Sequence, residues 1–126
     1  MKDLEYNRTV KRVLIEALLN EGVTFYLKCF LHPELKVGSR GLLPEEVERG
    51  LILVFGPHSY EDLIISPLGI SCKLQFETWE TLFIPYESVQ EVYDKKGNFK
   101  IEMLFMKMEQ KVGNRNPDDN PEEFGL

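Results

Sequence analysis

The segment "VFGPHSYEDLIISPLGISCKLQF", Val54 to Phe76, sets two β-favouring runs around two turn signals, Gly-Pro and Ser-Pro-Leu-Gly. The second run alternates, with Ile70, Cys72, Leu74 and Phe76 on one face and Ser71, Lys73, Gln75 and Glu77 on the other. That is the period of a half-buried strand. The first run, Leu51 to Phe55, is apolar throughout and reads as a strand buried on both faces. A hairpin reverses in two residues, so the longer Gly-Pro-His-Ser-Tyr bend calls for another explanation. It is either the corner of a barrel or one wall of a groove.

Upstream, Val10, Val13, Leu14, Ala17 and Leu18 follow the spacing of one apolar helix stripe, with Asn7 as N-cap and Asn20-Glu21-Gly22 as the stop. Ile15 and Leu19 widen that stripe. A helix apolar over more than one face either sinks into a core or meets a second copy. The period then changes to two, with Val23, Phe25, Leu27 and Cys29 sharing a face. The polar connection that follows holds a short strand near Lys36-Val37 and a brief helical turn over Glu45–Arg49.

Downstream of the opening bend, Leu63–Ile65 and Leu82–Ile84 read as strands. Pro85 then opens a one- or two-turn helix through Val89, Val92 and Tyr93. Phe99–Met106 suits strand or helix. Short strands with Gly/Pro punctuation behind a single helix predict a mainly β fold, a small strongly bent sheet or partly open barrel. Residues 1–108 form one domain, and residues 109–126 a flexible acidic tail.

With 21 acidic against 15 basic residues the chain carries a net charge of −6. Nucleic-acid affinity comes from Lys and Arg on phosphates, and the largest basic groups here are the pairs Lys11-Arg12 and Lys95-Lys96. The expected partner is a protein or peptide, not a nucleic acid. No apolar run approaches the ~20 residues of a membrane helix, and the charged N-terminus lacks a signal core, so no membrane is expected and the cytoplasm is the expected location.

Cys29 and Cys72 fall at apolar strand positions, where a free thiol behaves as a small hydrophobe. A zinc site would need both cysteines to converge with His32 and His58, the only histidines. A Cys72–His58 nucleophile pair has no orienting third group in view. Nucleophile-elbow, Walker, zinc-protease and dinucleotide motifs are all missing. Neither an enzyme nor a cofactor is expected.

The succession "LIEALLNEGVTFYLKC", "LILVFGPHSYEDLII", "GISCKLQF", "LFIPYESVQEVYD", from Val13 to about Asp94, resembles the SspB (stringent starvation protein B) family of ClpXP protease adaptors. The resemblance lies in the order and spacing of these segments. It implies an Sm-like β-barrel that dimerises through its helix, here Val10, Leu14, Ile15, Leu18 and Leu19. It also implies a groove for the unstructured C-terminal ssrA-type degradation tag of stalled translation products, and delivery to the ClpX ATPase. By position, the groove residues are Phe55, Gly56, Pro57, His58 and Ser59 from the bend, and Cys72, Leu74, Gln75 and Phe76 from the strand. The bend is expected to leave backbone groups near Phe55 and Gly56 free for the peptide, with Gly56 permitting close approach.

The pattern departs from the family in places. Leu74-Gln75-Phe76-Glu77-Thr78 stands where the family carries Ala-Arg-Phe-Gly-Gly, so an arginine is lost and a glutamate gained. The terminal stretch ends Glu-Glu-Phe-Gly-Leu; Phe124 and Leu126 offer an apolar anchor for ClpX without the family's basic residues. Two other readings stand beside the adaptor: an Sm-like RNA-binding barrel using Tyr26, Phe30 and Trp79, and a scaffolding dimer without tag binding.

Overall fold

The computed structural model describes residues 2–102, with side chains from Leu4 onward. The expected tail and the second half of Phe99–Met106 lie outside the described residues.

The chain opens with α1 (Lys2–Asn20) and continues through β1 (Phe25–Cys29), β2 (Lys36–Val37), α2 (Pro44–Arg49), β3 (Leu51–Phe55) and β4 (Tyr60–Ile65). After these come β5 (Gly69–Gln75), β6 (Trp79–Pro85), β7 (Val89–Asp94) and β8 (Lys100–Glu102). Two four-stranded antiparallel sheets result, ordered β3-β1-β7-β8 and β2-β6-β5-β4. Their inner faces share one core, in which Phe25, Leu27, Leu53 and Phe55 meet Ile70, Cys72, Leu82 and Ile84. Both β3 and β4 are sheet edges, so the bend between them crosses from one sheet to the other. Among the described residues the sheets do not close into a barrel.

Helix α1 ends where the sequence predicts. Gly22 takes a left-handed φ of 71°, and the Gly22 and Val23 N–H groups donate back to Leu19 and Leu18 carbonyls at 3.1 and 3.3 Å. Its start and its buried face differ from expectation. Asn7 is buried within the helix instead of capping it, and the inward side carries Asn7, Lys11 and Ile15. Val13 and Ala17 face outward, with Val13 55% exposed.

Lys11 explains the shift. Its stem is buried and its Nζ donates to the carbonyl oxygens of Tyr86 and Val89 at 2.8 and 2.9 Å. A lysine thus fastens the helix to the backbone of the sheet connection, a role that an apolar-stripe reading passes over. Arg8 adds a bond from its Nε to Glu87 at 2.7 Å. Burial pulls the Lys11 pKa down from 10.5 to about 8, with the charge of Glu87 opposing that shift.

Three strand readings are corrected. Instead of a longer helix after Pro85, a single 3-10 turn (Tyr86–Ser88) gives way to β7, where Val89 and Val92 point into the core. Their spacing of three arises from a bulge in β7, where Lys28 pairs with Glu91 and the next residue, Cys29, with Val89. Strand β3 is buried on one face only: Leu51, Leu53 and Phe55 are inside, while Ile52 and Val54 are 49% and 42% exposed. Strand β4 begins at Tyr60, earlier than expected, and carries a bulge between Glu61 and Ile64 with Asp62 at φ 54°.

Candidate peptide-binding cleft

The Gly56–Ser59 bend is a closed unit. Ser59 N–H donates to the Gly56 carbonyl at 3.1 Å, and Gly56 N–H donates to Ser59 Oγ at 2.6 Å. Ser59 Oγ lies 3.1 Å from the Gly56 carbonyl and 3.2 Å from the Val54 carbonyl, two acceptors within reach of its one hydrogen. The Gly56 backbone is therefore satisfied internally and is not left free, contrary to the sequence expectation. A side chain at Gly56 would meet Thr24 Oγ1 at 3.0 Å, so the close approach this glycine serves is to its own chain.

The free backbone lies one step earlier. Among the described residues strand β3 pairs only with β1, in a regular register from Leu51↔Cys29 to Phe55↔Phe25. Neighbouring residues of a strand direct their N–H and C=O groups to opposite sides. Because the Val54 carbonyl meets Ser59 and not β1, the N–H and C=O of Ile52 and the N–H of Val54 turn to the open edge.

Across from this edge, β5 outruns its partner. Tyr60, the first residue of β4, pairs with Leu74, so Gln75 and Phe76 extend beyond the β4 ladder. Ile52, Leu53, Val54, Ser59, Leu74, Gln75 and Phe76 line a cleft of about 230 Å³. Its lining carries no formal charge and is mainly apolar, with Ser59 and Gln75 as the polar side chains.

The expected site residues therefore divide. Ser59, Leu74, Gln75 and Phe76 come together in the cleft. Phe55 and Cys72 lie in the core, where Phe55 stacks on Phe25 at 5.6 Å between ring centroids. Pro57 and His58 are exposed at the tip of the bend, outside the cleft lining. The sequence reading missed Ile52, Leu53 and Val54. In an apolar run no alternation marks the outer face, and the available signal was that an antiparallel edge strand has no reason to be apolar on its solvent side.

Both thiols are free and buried, and burial raises each pKa from 9.0 to about 12. Their surroundings keep them protonated at neutral pH. Among the described residues no three His, Cys, Asp or Glu side chains gather as a metal site, and no helix is long and apolar enough to cross a membrane. On the outer face of the first sheet Tyr26 stacks on Tyr93 at 5.1 Å, but Glu91 and Glu102 share that face with Lys28 and Lys100. No protein-family model matches this chain. No curated protein sequence matches it either.

On α1, the expected interface residues also divide. Ile15 is completely buried in the core of its own chain and is unavailable to a second copy. Leu14, Leu18 and Leu19 pack partly against the core, and Val10 is half-buried. The outward stripe runs Tyr6, Val10, Val13 and Ala17, with Tyr6 65% exposed.

Proposed function

We propose that this protein is an SspB-type adaptor that binds an unstructured C-terminal degradation tag of the ssrA type and delivers its bearer to ClpX for proteolysis by ClpXP. The observation that carries the reading is the open β3 edge, regular, apolar and facing the end of β5. An extended peptide adds to such an edge through its main chain and places alternate side chains in the cleft. In this reading the two sheets are the halves of an Sm-like barrel, and the cleft is its opening. The outward stripe of α1 is the dimer face, so Val13→Asp yields a folded monomer in sedimentation whereas Ile15→Asp unfolds the chain. Two tags held by a dimer tethered to the protease need only modest affinity each.

The test is fluorescence anisotropy of a labelled ssrA-type peptide ending in Ala-Ala, titrated with the full chain. Saturable binding is expected, weakened about tenfold or more by Ile52→Asp with the circular dichroism spectrum unchanged. A folded protein that shows no saturable binding would overturn the adaptor reading and leave a scaffolding dimer.

A further inference from the structure

Phe76 is a wall of two cavities. Beyond the cleft, its ring also lines a second, larger cavity of about 540 Å³ with Arg40, Leu43, Glu77, Thr78 and Glu80. A peptide that follows the β3 edge past Phe76 reaches this charged end, so the sign of the charge there selects among peptides.

Pairing within the protein determines that sign. Arg40 stacks over the Phe76 ring at 4.4 Å from its centroid, but its guanidinium is already held by both carboxylate oxygens of Glu46, at 3.0 and 2.7 Å. A bidentate pair of this kind largely cancels the cation. Among the described residues the donors to Glu80 are neutral: Thr78 Oγ1 at 2.8 Å, the Ser39 N–H at 3.1 Å and Ser39 Oγ at 3.4 Å. Those bonds hold its carboxyl below the usual range and keep it ionised. Glu77 is exposed and has no partner among the described residues. Glu80 shares the field of Arg40 with Glu46, so one cation stands against three carboxylates beside Phe76 and the balance there is negative.

We infer that the tag taken by this cleft carries a lysine or arginine next to its apolar segment, with the cation at Glu77 and Glu80. The inference rests on the peptide-binding reading above and refines its substrate. It also sets the direction of the chain. The free carboxylate at the end of a tag is repelled from this end, so the basic residue precedes the apolar segment. An anionic ligand group would find Arg40 already occupied and two carboxylates opposing it.

Three labelled peptides test this, identical in their apolar ssrA-type C-terminal segment and carrying Lys, Ala or Glu immediately before it. Against the full chain at about 0.05 M salt the expected order is Lys tighter than Ala tighter than Glu. A spread of about tenfold is expected, collapsing at about 0.5 M salt as exposed charges are screened. Glu77→Lys, a change at an exposed and unpartnered position, is expected to compress or reverse the order. Equal binding of all three peptides, or an order unmoved by Glu77→Lys, would overturn the charged end while leaving the cleft intact. Failure of the Ala peptide itself to bind, with the Lys peptide failing too, would overturn the cleft and the inference together.

Discussion

Strands β3 and β4 flank the same bend and both end a sheet, yet their free edges are built in opposite ways. Strand β4 carries Glu61 and Asp62 on exposed positions and breaks its ladder with a bulge at Asp62. Charge and bulge are the usual means by which a sheet edge is kept from pairing with another chain. Strand β3 has neither: it is regular, and its outward residues are Ile52 and Val54. One edge is protected and the other left competent. An edge left open beside an apolar cleft is what peptide addition requires, and of the two edges that flank the bend only β3 offers it.

The sharpest way to break this contrast is proline, because it deletes a single N–H. At Leu53, whose N–H faces β1, Leu53→Pro loses a ladder bond inside the core and costs on the order of 3 kcal/mol or more. The expected result is loss of the cooperative thermal transition. One residue on, Val54→Pro removes an N–H that points to the open edge, a position where proline is tolerated. Its melting curve should stay close to that of the wild type while tag binding weakens about tenfold. Equal stability of the two variants would mean that the edge is assigned to the wrong residues.

A smaller effect is expected at β4. Deleting Asp62 brings Leu63 opposite Cys72 and restores an unbroken register from Tyr60↔Leu74 to Ile65↔Ile70. The regular edge so created should associate with itself, seen as concentration-dependent growth in light scattering, with tag affinity at β3 unchanged. A monodisperse deletion variant would show that the bulge is not what guards this edge.

The smallest effect separates both edges from the helix anchor. Between the native Lys11 pKa of about 8 and its unfolded value of 10.5, the unfolded chain holds the extra proton, so unfolding free energy rises with pH through that window. The buried Cys29 and Cys72 act the other way, because on approaching pH 9 the native state keeps protons that unfolded thiols release. Between pH 8 and 9 Lys11 adds about 1 kcal/mol and the two thiols take back more than half of it, so stability in denaturant titrations should rise by only a fraction of that and then decline. Lys11→Met should abolish the rise. A wild type that loses as much stability as Lys11→Met from pH 8 to 9 would count against the anchor's depressed pKa.

Most elements were legible in the sequence because their periods are local. Alternation located β1 and β5, and Gly22 marked the end of α1. The misreadings share one cause: each depended on what lies across from the residue. Leu51 to Phe55 is apolar at every position, so only the sheet order reveals that half of it faces outward. Lys11 reads as a surface charge until the Tyr86 and Val89 carbonyls appear above its Nζ. Of the residues that line the cleft, the resemblance picks out Ser59, Leu74, Gln75 and Phe76, while the opposing wall lies on a strand that reads as core. By position Phe55 and Cys72 belong to the groove, but their alternation turns them into the core.

One pairing in β5 and β6 has an optical consequence. Trp79, the only tryptophan, is the cross-strand neighbour of Gln75 and half-exposed. Residues so placed have Cβ atoms about 5 Å apart on the same face, and Gln75 lines the cleft. The indole therefore stands at the rim, where an arriving chain displaces water from it. Occupancy should shift its emission toward the blue, so the unmodified protein carries a built-in spectroscopic gauge of its own loading.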